Sequence, residues 1–595
     1  MIQPNRHVER YIGKSDAFCQ SLGDPLVDFS FQGAAPMWGQ IAKPLSSQTV
    51  HPTQRSMVAG FDFVGWLPVV LVLVLAAVLR FAGLGSQPLW LDEGYSWWDA
   101  QQSMIDLWKL VPQCDPHPPL YFALLKGWID GFGDGAFAMR ALSALLGIAT
   151  TLVVMLAGRE IDRRVGWLAG LMFALTPFQV EFGHEARPYT LFCFGASVAA
   201  FGALRIARLA RQSQADAPGT SALRLASAES LVGWLALMIG CVVVLWANNT
   251  SILLVLALGS SMMALVVFDK GSRWLIKPLV LAMLLVVALW LPYFPVLIEQ
   301  ARGVSSDFWI PKPEGWRFAN ELRFVVSLDS FDAVWWGVAA VFGGLALLSL
   351  KGRWREALVL GSVVVVPVLL NYGISMTVKP IFIARALIGI APGVAVALAA
   401  GVMLIKRPTL RYGALTAIVA AHAIALGTWY SNYQGKEPWD RIATQVVASA
   451  DHRPSDSSAM VLVAANELAL PLSHAFEDIH MSVPMQGAPA NFPSPGLDAR
   501  YPSGKCAPSV AGQDLSSIGR AVRGHSVVYF ITRANNVYDP GNGIARFLQS
   551  MGMRQTGMTT YMPGYLEVHR FVAPLRGHFS LPAHLAISEP LPKAR

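Results

Sequence analysis

From Phe63 to about residue 430 the chain alternates long apolar runs with short polar breaks. The runs are close to the ~20 residues a helix needs to cross a bilayer. They fall at approximately 64–84, 136–157, 166–183, 188–208, 231–248, 250–268, 278–297, 332–350, 357–376, 385–405 and 412–430, which predicts about eleven transmembrane helices. After Tyr430 the pattern changes. Short apolar runs at 459–464 and 526–532 read as buried strands, and 556–562 and 564–571 as two more. Helical periodicity appears near 466–476 and 543–551, and 484–508, dense in Pro, Gly and Ser, reads as a loop. The expected fold class is an all-α polytopic membrane protein with a C-terminal soluble α/β domain.

The breaks between the apolar runs come in two kinds. One set is basic: Arg159/Arg163/Arg164, Arg205/Arg208/Arg211/Arg224, Lys270/Arg273/Lys277, Lys351/Arg353/Arg355 and Lys406/Arg407/Arg411. The other set is acidic, aromatic or nearly neutral. The positive-inside rule puts the basic set in the cytoplasm. The N-terminus is then cytoplasmic, and both a first external loop at 85–135 and the domain at 434–595 lie outside. Residues 1–60 are polar and aperiodic, without a basic stretch leading into an apolar one, and are expected to be a disordered cytoplasmic leader rather than a signal peptide. The transmembrane part is bounded at 61–433.

Composition agrees with this reading. The chain has 595 residues, 54% hydrophobic and only 14% charged, against about a quarter charged in a soluble domain. The net charge of +8 comes from short inner loops, so nucleic acid is not expected as a partner. The five cysteines show no metal-type spacing. Cys193 and Cys241 fall in apolar runs. Cys114 and Cys506 both fall outside in this topology, where they either pair or stay as buried thiols.

The polar residues that could carry chemistry cluster on the external side. Asp92 and Glu93 follow the first apolar run in the segment PLWLDEGYSWW. A carboxylate held at a membrane surface among apolar side chains is placed to act as a general base, although acids facing water beside anchoring tryptophans are common there. Asp115 and His117 lie in DPHPPLY, where two prolines restrict the backbone and start a helix. With the acidic pair they could complete an oxygen and nitrogen site for a divalent ion, with Glu93 and His117 as ligands. Arg140, Arg187, Arg385 and Lys379 sit at external ends of spans. Such residues often only anchor helices by snorkelling. Cations on this side run against the topological bias, however, and arginine's fork suits phosphate oxygens.

Taken in order, these motifs resemble the GT-C class of membrane glycosyltransferases. The nearest group holds the dolichyl-phosphate-mannose protein mannosyltransferases, the aminoarabinose transferases of lipid A and the rhizobial galacturonosyltransferases. The resemblance rests on Asp92–Glu93, on DPHPPLY, on Arg140, on EARPYTL from Glu185 with its Tyr189, on KPIFIARAL from Lys379, and on KEPWDRIA from Lys436. The chain departs from that group at Ala386, where an aromatic is usual, and in its long leader.

The resemblance implies transfer of a sugar from a polyprenyl-phosphate donor to an envelope acceptor, which could be a lipopolysaccharide, another glycan, a lipid or a protein. Asp92 would be the base and Glu93 its partner. Arg187, Arg385, Lys379 and Arg140 would bind the donor phosphate. His117, Asp115 and Tyr189 would position the acceptor or a divalent metal ion. The location implied is a bacterial inner membrane, with the C-terminal domain in the periplasm, where it either selects the acceptor or stabilises the fold. A transporter or lipid-linked sugar flippase is the competing reading, but such proteins tend to carry internal repeats and mid-membrane substrate residues.

Overall fold

The computed structural model describes residues 63–213, 227–303, 310–326, 333–432, 435–451, 459–494, 506–562 and 565–573; the leader expected at 1–60 lies outside them. Every apolar run predicted above is helical, and the chain is a polytopic membrane protein. Seven described helices are long and apolar enough to cross a membrane, and a bent pair would make an eighth. The expected count of about eleven is not reached on length, for local reasons. The run at 166–183 is two helices, α6 (Arg163–Leu175) and α7 (Pro177–Gly183), bent by 64°. Pro177 lacks the N–H that would continue α6. The runs at 64–84, 332–350 and 385–405 hold only short apolar helices, Trp66–Phe81, Val334–Leu350 and Ile388–Met403. In the last of these, residues 384–390 form short 3₁₀ turns around Arg385 before the helix begins.

Small residues set the closest helix approach. A Cβ on Gly202 of helix α8 (Tyr189–Ser213) would lie 2.4 Å from the Leu237 backbone nitrogen, and one on Gly240 would lie 2.3 Å from that of Ala199. Without a hydrophobic drive between helices in lipid, such contact between backbones is what holds spans together. Ion pairs then tie the basic loops to one another at one end of the bundle. Glu160 binds Arg205 (2.9 Å) and Arg208 (2.6 Å), Arg211 binds Glu356 (2.8 Å), and Arg355 binds Asp269 (2.7 Å).

The first loop is largely helical, and the helix expected after the two prolines begins at Leu120. Helix α2 (Leu91–Gln101), α3 (Met104–Cys114) and α4 (Leu120–Phe132) precede the span α5 (Ala136–Arg159). The side chain of Ser103 caps α3 by accepting the Asp106 N–H at 3.2 Å.

The C-terminal region is a mixed sheet with helices on both faces. Its strands are β1 (Ala459–Ala464), β2 (Met485–Gly487), β3 (Val527–Arg533), β4 (Arg554–Met562) and β5 (Leu566–Val572), in the order β2-β1-β3-β5-β4. β2, β1 and β3 are parallel, and β5 is antiparallel to both β3 and β4. Only the three-residue β2 was hidden, inside the stretch expected to be a loop.

Cys114 and Cys506 form a disulfide, with Cα atoms 5.3 Å apart and a sequence separation of 392, while Cys193 and Cys241 are buried thiols. Cys506→Ser is expected to lower stability by about 2–5 kcal/mol, read as a lower unfolding temperature in detergent. An unchanged gel mobility of wild type with and without reductant would contradict the bridge.

Candidate active site

Helix α2 carries the first-loop acids on two sides. Asp92, Ser96 and Asp99 recur at helical spacing on one side, while Leu91 and Tyr95 join the core of the C-terminal domain. Both acids sit in the first turn, where the helix dipole favours negative charge.

Glu93 is entirely enclosed. Its carboxylate takes both Arg140 Nε (2.8 Å) and Nη2 (2.6 Å), and it accepts the Ala186 N–H at 2.9 Å. Burial works against the charge, but Arg140, Lys436 and these hydrogen bonds outweigh it and hold the group down to about 2. Arg140 also donates to the carbonyls of Leu84, Gln87 and Pro88 at 3.1, 2.8 and 2.8 Å. That guanidinium is the scaffold of the loop.

Beside this pair lies a second buried group. Arg187 Nη1 donates to Asp115 Oδ2 (2.9 Å), to the Asp92 carbonyl (3.1 Å) and to Ser96 Oγ (3.4 Å). Asp115 Oδ1 accepts both the N–H of His117 (2.9 Å) and its ring Nδ1–H (2.6 Å). Burial opposes the Asp115 charge, yet Arg187 and His117 hold its carboxyl well below the usual range. Burial also lowers His117, partly offset by Asp115. The Tyr189 ring packs edge-on to His117 at 5.4 Å and lies under Arg385 at 6.0 Å.

Asp92 is the acid of this cluster left open to solvent. Its side chain is 26% exposed and faces Arg385, 27% exposed, across 3.4 Å. The segment bearing Arg385 is tied down by Glu321, which accepts the Ala384 N–H at 2.8 Å. Lys379 lies just beyond the helix Trp354–Thr377 and is half-buried.

Of the expected metal ligands, Glu93 is engaged by Arg140, while the contact of His117 Nδ1 with Asp115 is compatible with ligation through Nε2. Among the described residues no group of three or more His, Cys, Asp or Glu is placed to hold an ion.

Several supporting residues gave no signal of their own in the sequence. Gln300 donates to the carbonyls of Pro112 (2.9 Å) and Asp115 (3.1 Å), and Asn249 donates to that of Pro116 (2.6 Å), so distant loops brace DPHPPLY. Asp99, fully buried and with neither carboxylate oxygen hydrogen-bonded, is pushed well above its ordinary value by burial and by Asp115. Its place one helical turn beyond Tyr95 was the available clue.

Comparison with known proteins bears on the fold. The profile of the family described as dolichyl-phosphate-mannose-protein mannosyltransferase matches residues 116–215. No curated protein matches the chain. Among solved structures, ArnT from Cupriavidus metallidurans in the apo state is 14% identical, covering 85% of this chain and 98% of its own, with a TM-score of 0.56. The same protein bound to undecaprenyl phosphate gives 14% identity, 87% and 99% coverage, and a TM-score of 0.54. The likeness is one of fold, and it extends through the C-terminal domain.

Proposed function

From a chain with the GT-C fold of membrane glycosyltransferases, we propose a transferase that moves a sugar from a polyprenyl-phosphate-linked donor to an envelope acceptor on the external face. The observation that carries this reading is the open Asp92–Arg385 pair above a floor of buried ion pairs. A solvated carboxylate opposite a solvated guanidinium offers a base and a phosphate ligand within one small space.

In this scheme Asp92 takes the proton of an acceptor hydroxyl, whose oxygen attacks the anomeric carbon. The bond from that carbon to the phosphate oxygen breaks, and the electron pair leaves with the polyprenyl phosphate. The sugar inverts. Arg385, with Lys379 nearby in sequence, counters the charge on the leaving phosphate. Arg187, with its side chain only 4% exposed, holds Asp92, Ser96 and Asp115 in register from below. His117 and Tyr189 shape the acceptor side, and Glu93 with Arg140 fixes the loop. The site lies at the external side of a bacterial inner membrane, which is where a lipid-linked donor would present its phosphate. Such a donor is a partner, as are the envelope acceptor and the surrounding lipid.

The test is mass spectrometry of envelope lipids, glycans and proteins from intact, deleted and complemented strains. Loss of one sugar residue from a single component on deletion, restored by the wild-type gene, is the expected result. An envelope unchanged by deletion would remove the transferase reading.

A further inference from the structure

The C-terminal sheet has a ligand-binding edge of a familiar kind. After β1 the chain crosses to β2 on one side, and after β3 it crosses towards β4 on the other. The helices that follow these strands pack on opposite faces of the sheet. Ala469–Asp478 joins the core that holds Val461 and Val463, and Gly543–Ser550 joins the one that holds Met460 and Leu462. The crevice beyond the carboxyl ends of β1 and β3 is therefore a topological switch point, the place where open α/β sheets take their ligands.

Here that place is filled by helix α2. Glu467, three residues past β1, accepts the hydroxyls of Tyr95 and of Tyr538 (2.9 Å from the latter), and Arg533 at the end of β3 lies 3.6 Å from it. Gly94 meets Pro471 so closely that a Cβ would lie 2.8 Å from its ring.

The segment leading into the domain reaches the same helix from its start. Glu437 Oε2 accepts the Leu91 N–H at 2.9 Å, one of the donors that a helix N-terminus leaves without an internal partner. The same oxygen accepts Trp439 Nε1–H at 3.0 Å, and Trp439 is fully buried, which fixes the carboxylate. Lys436 binds Glu185 at 3.1 Å, two residues before Arg187, and its backbone N–H donates to Gln87 at 3.1 Å. One short strap thus holds both the segment that bears Asp92 and the segment that bears Arg187.

We propose that the C-terminal domain is a clamp on α2, and that Glu437 is a positioning residue that sets Asp92 through the Leu91 N–H. This rests on the transferase reading above. The capped residue immediately precedes Asp92, so a lost cap lets the first helical turn drift. A displacement of about 1 Å at a reacting group can cost about a hundredfold in rate.

The experiment compares Glu437→Ala and Glu437→Gln in the full-length protein. Transfer is read on the component identified by deletion, and donor-site integrity by binding of undecaprenyl phosphate. The Cys114–Cys506 bridge, read by gel mobility without reductant, reports folding. Alanine is expected to lower transfer about tenfold or more, with phosphate binding and the bridge intact. Glutamine keeps an accepting oxygen and is expected to stay within about threefold of wild type. Alanine with wild-type transfer would overturn the proposal, as would glutamine failing as badly as alanine. Loss of bridge and phosphate binding together with transfer would make Glu437 a folding residue and would equally overturn it. Absence of transfer by the wild type itself would instead count against the transferase reading.

Discussion

Arg140→Ala is expected to destabilise the protein by about 3–5 kcal/mol, the cost typical of stranding one member of a buried ion pair. Glu93 has no exposed surface, and Arg140 supplies two of its hydrogen bonds. The same guanidinium gathers three carbonyls of the loop between the first span and α2, so both charge and loop geometry are lost. Lysine offers a point charge without the planar fork and is expected to restore little.

The pH dependence gives a second readout. In wild type Glu93 sits at about 2, below its ordinary 4.5, so its contribution is complete above 4.5 and fades as pH falls towards 2. Without Arg140 the dominant influence left is burial, which raises the carboxyl. The variant is then expected to lose stability as pH rises above 4.5, the opposite slope. Thermal unfolding in detergent at several pH values measures both effects. A variant that unfolds with wild type at every pH would show that the pair contributes nothing.

Asp92→Asn is expected to reduce transfer by about 10²–10⁴, the usual contribution of a general base, while leaving undecaprenyl phosphate binding close to wild type. Asparagine keeps the size and one accepting oxygen facing Arg385, but it cannot take a proton. The two residues of the acidic pair therefore separate by assay. Glu93 is expected to act through stability, and Asp92 through turnover with the fold intact. Full transfer by the Asp92 variant would move the base to another acid of the first loop.

Much of the fold was legible because lipid imposes a coarse and repetitive demand on sequence. Each predicted run is helical, though not always one helix, and four strand positions were readable from short apolar runs. The bend at Pro177 was less so: a proline in an apolar run leaves open whether the helix kinks or stops. The strand at Met485–Gly487 was invisible because its three residues have no alternation of their own. In the site, Asp92, Asp115, His117, Arg187, Tyr189 and Arg385 lie together. What could not be read was pairing. Nothing local distinguishes Arg140 from Arg385, yet one is buried against Glu93 and three carbonyls and the other meets Asp92 with its side chain 27% exposed. Partner choice depends on contacts between segments far apart in the chain, and the sequence pattern carries only local information.

The span of those contacts sets an order of manufacture. Leu91 and Glu437 are 346 residues apart, and synthesis at about 5–20 residues per second separates their emergence by roughly 20–70 s. During that interval the first loop exists without its strap or its cystine partner. On the proposal above, a nascent or prematurely terminated chain would meet the lipid donor with an unset base, and the reaction would be withheld until the last segment has been exported and oxidised. Synthesis of the strap would then be the activating event.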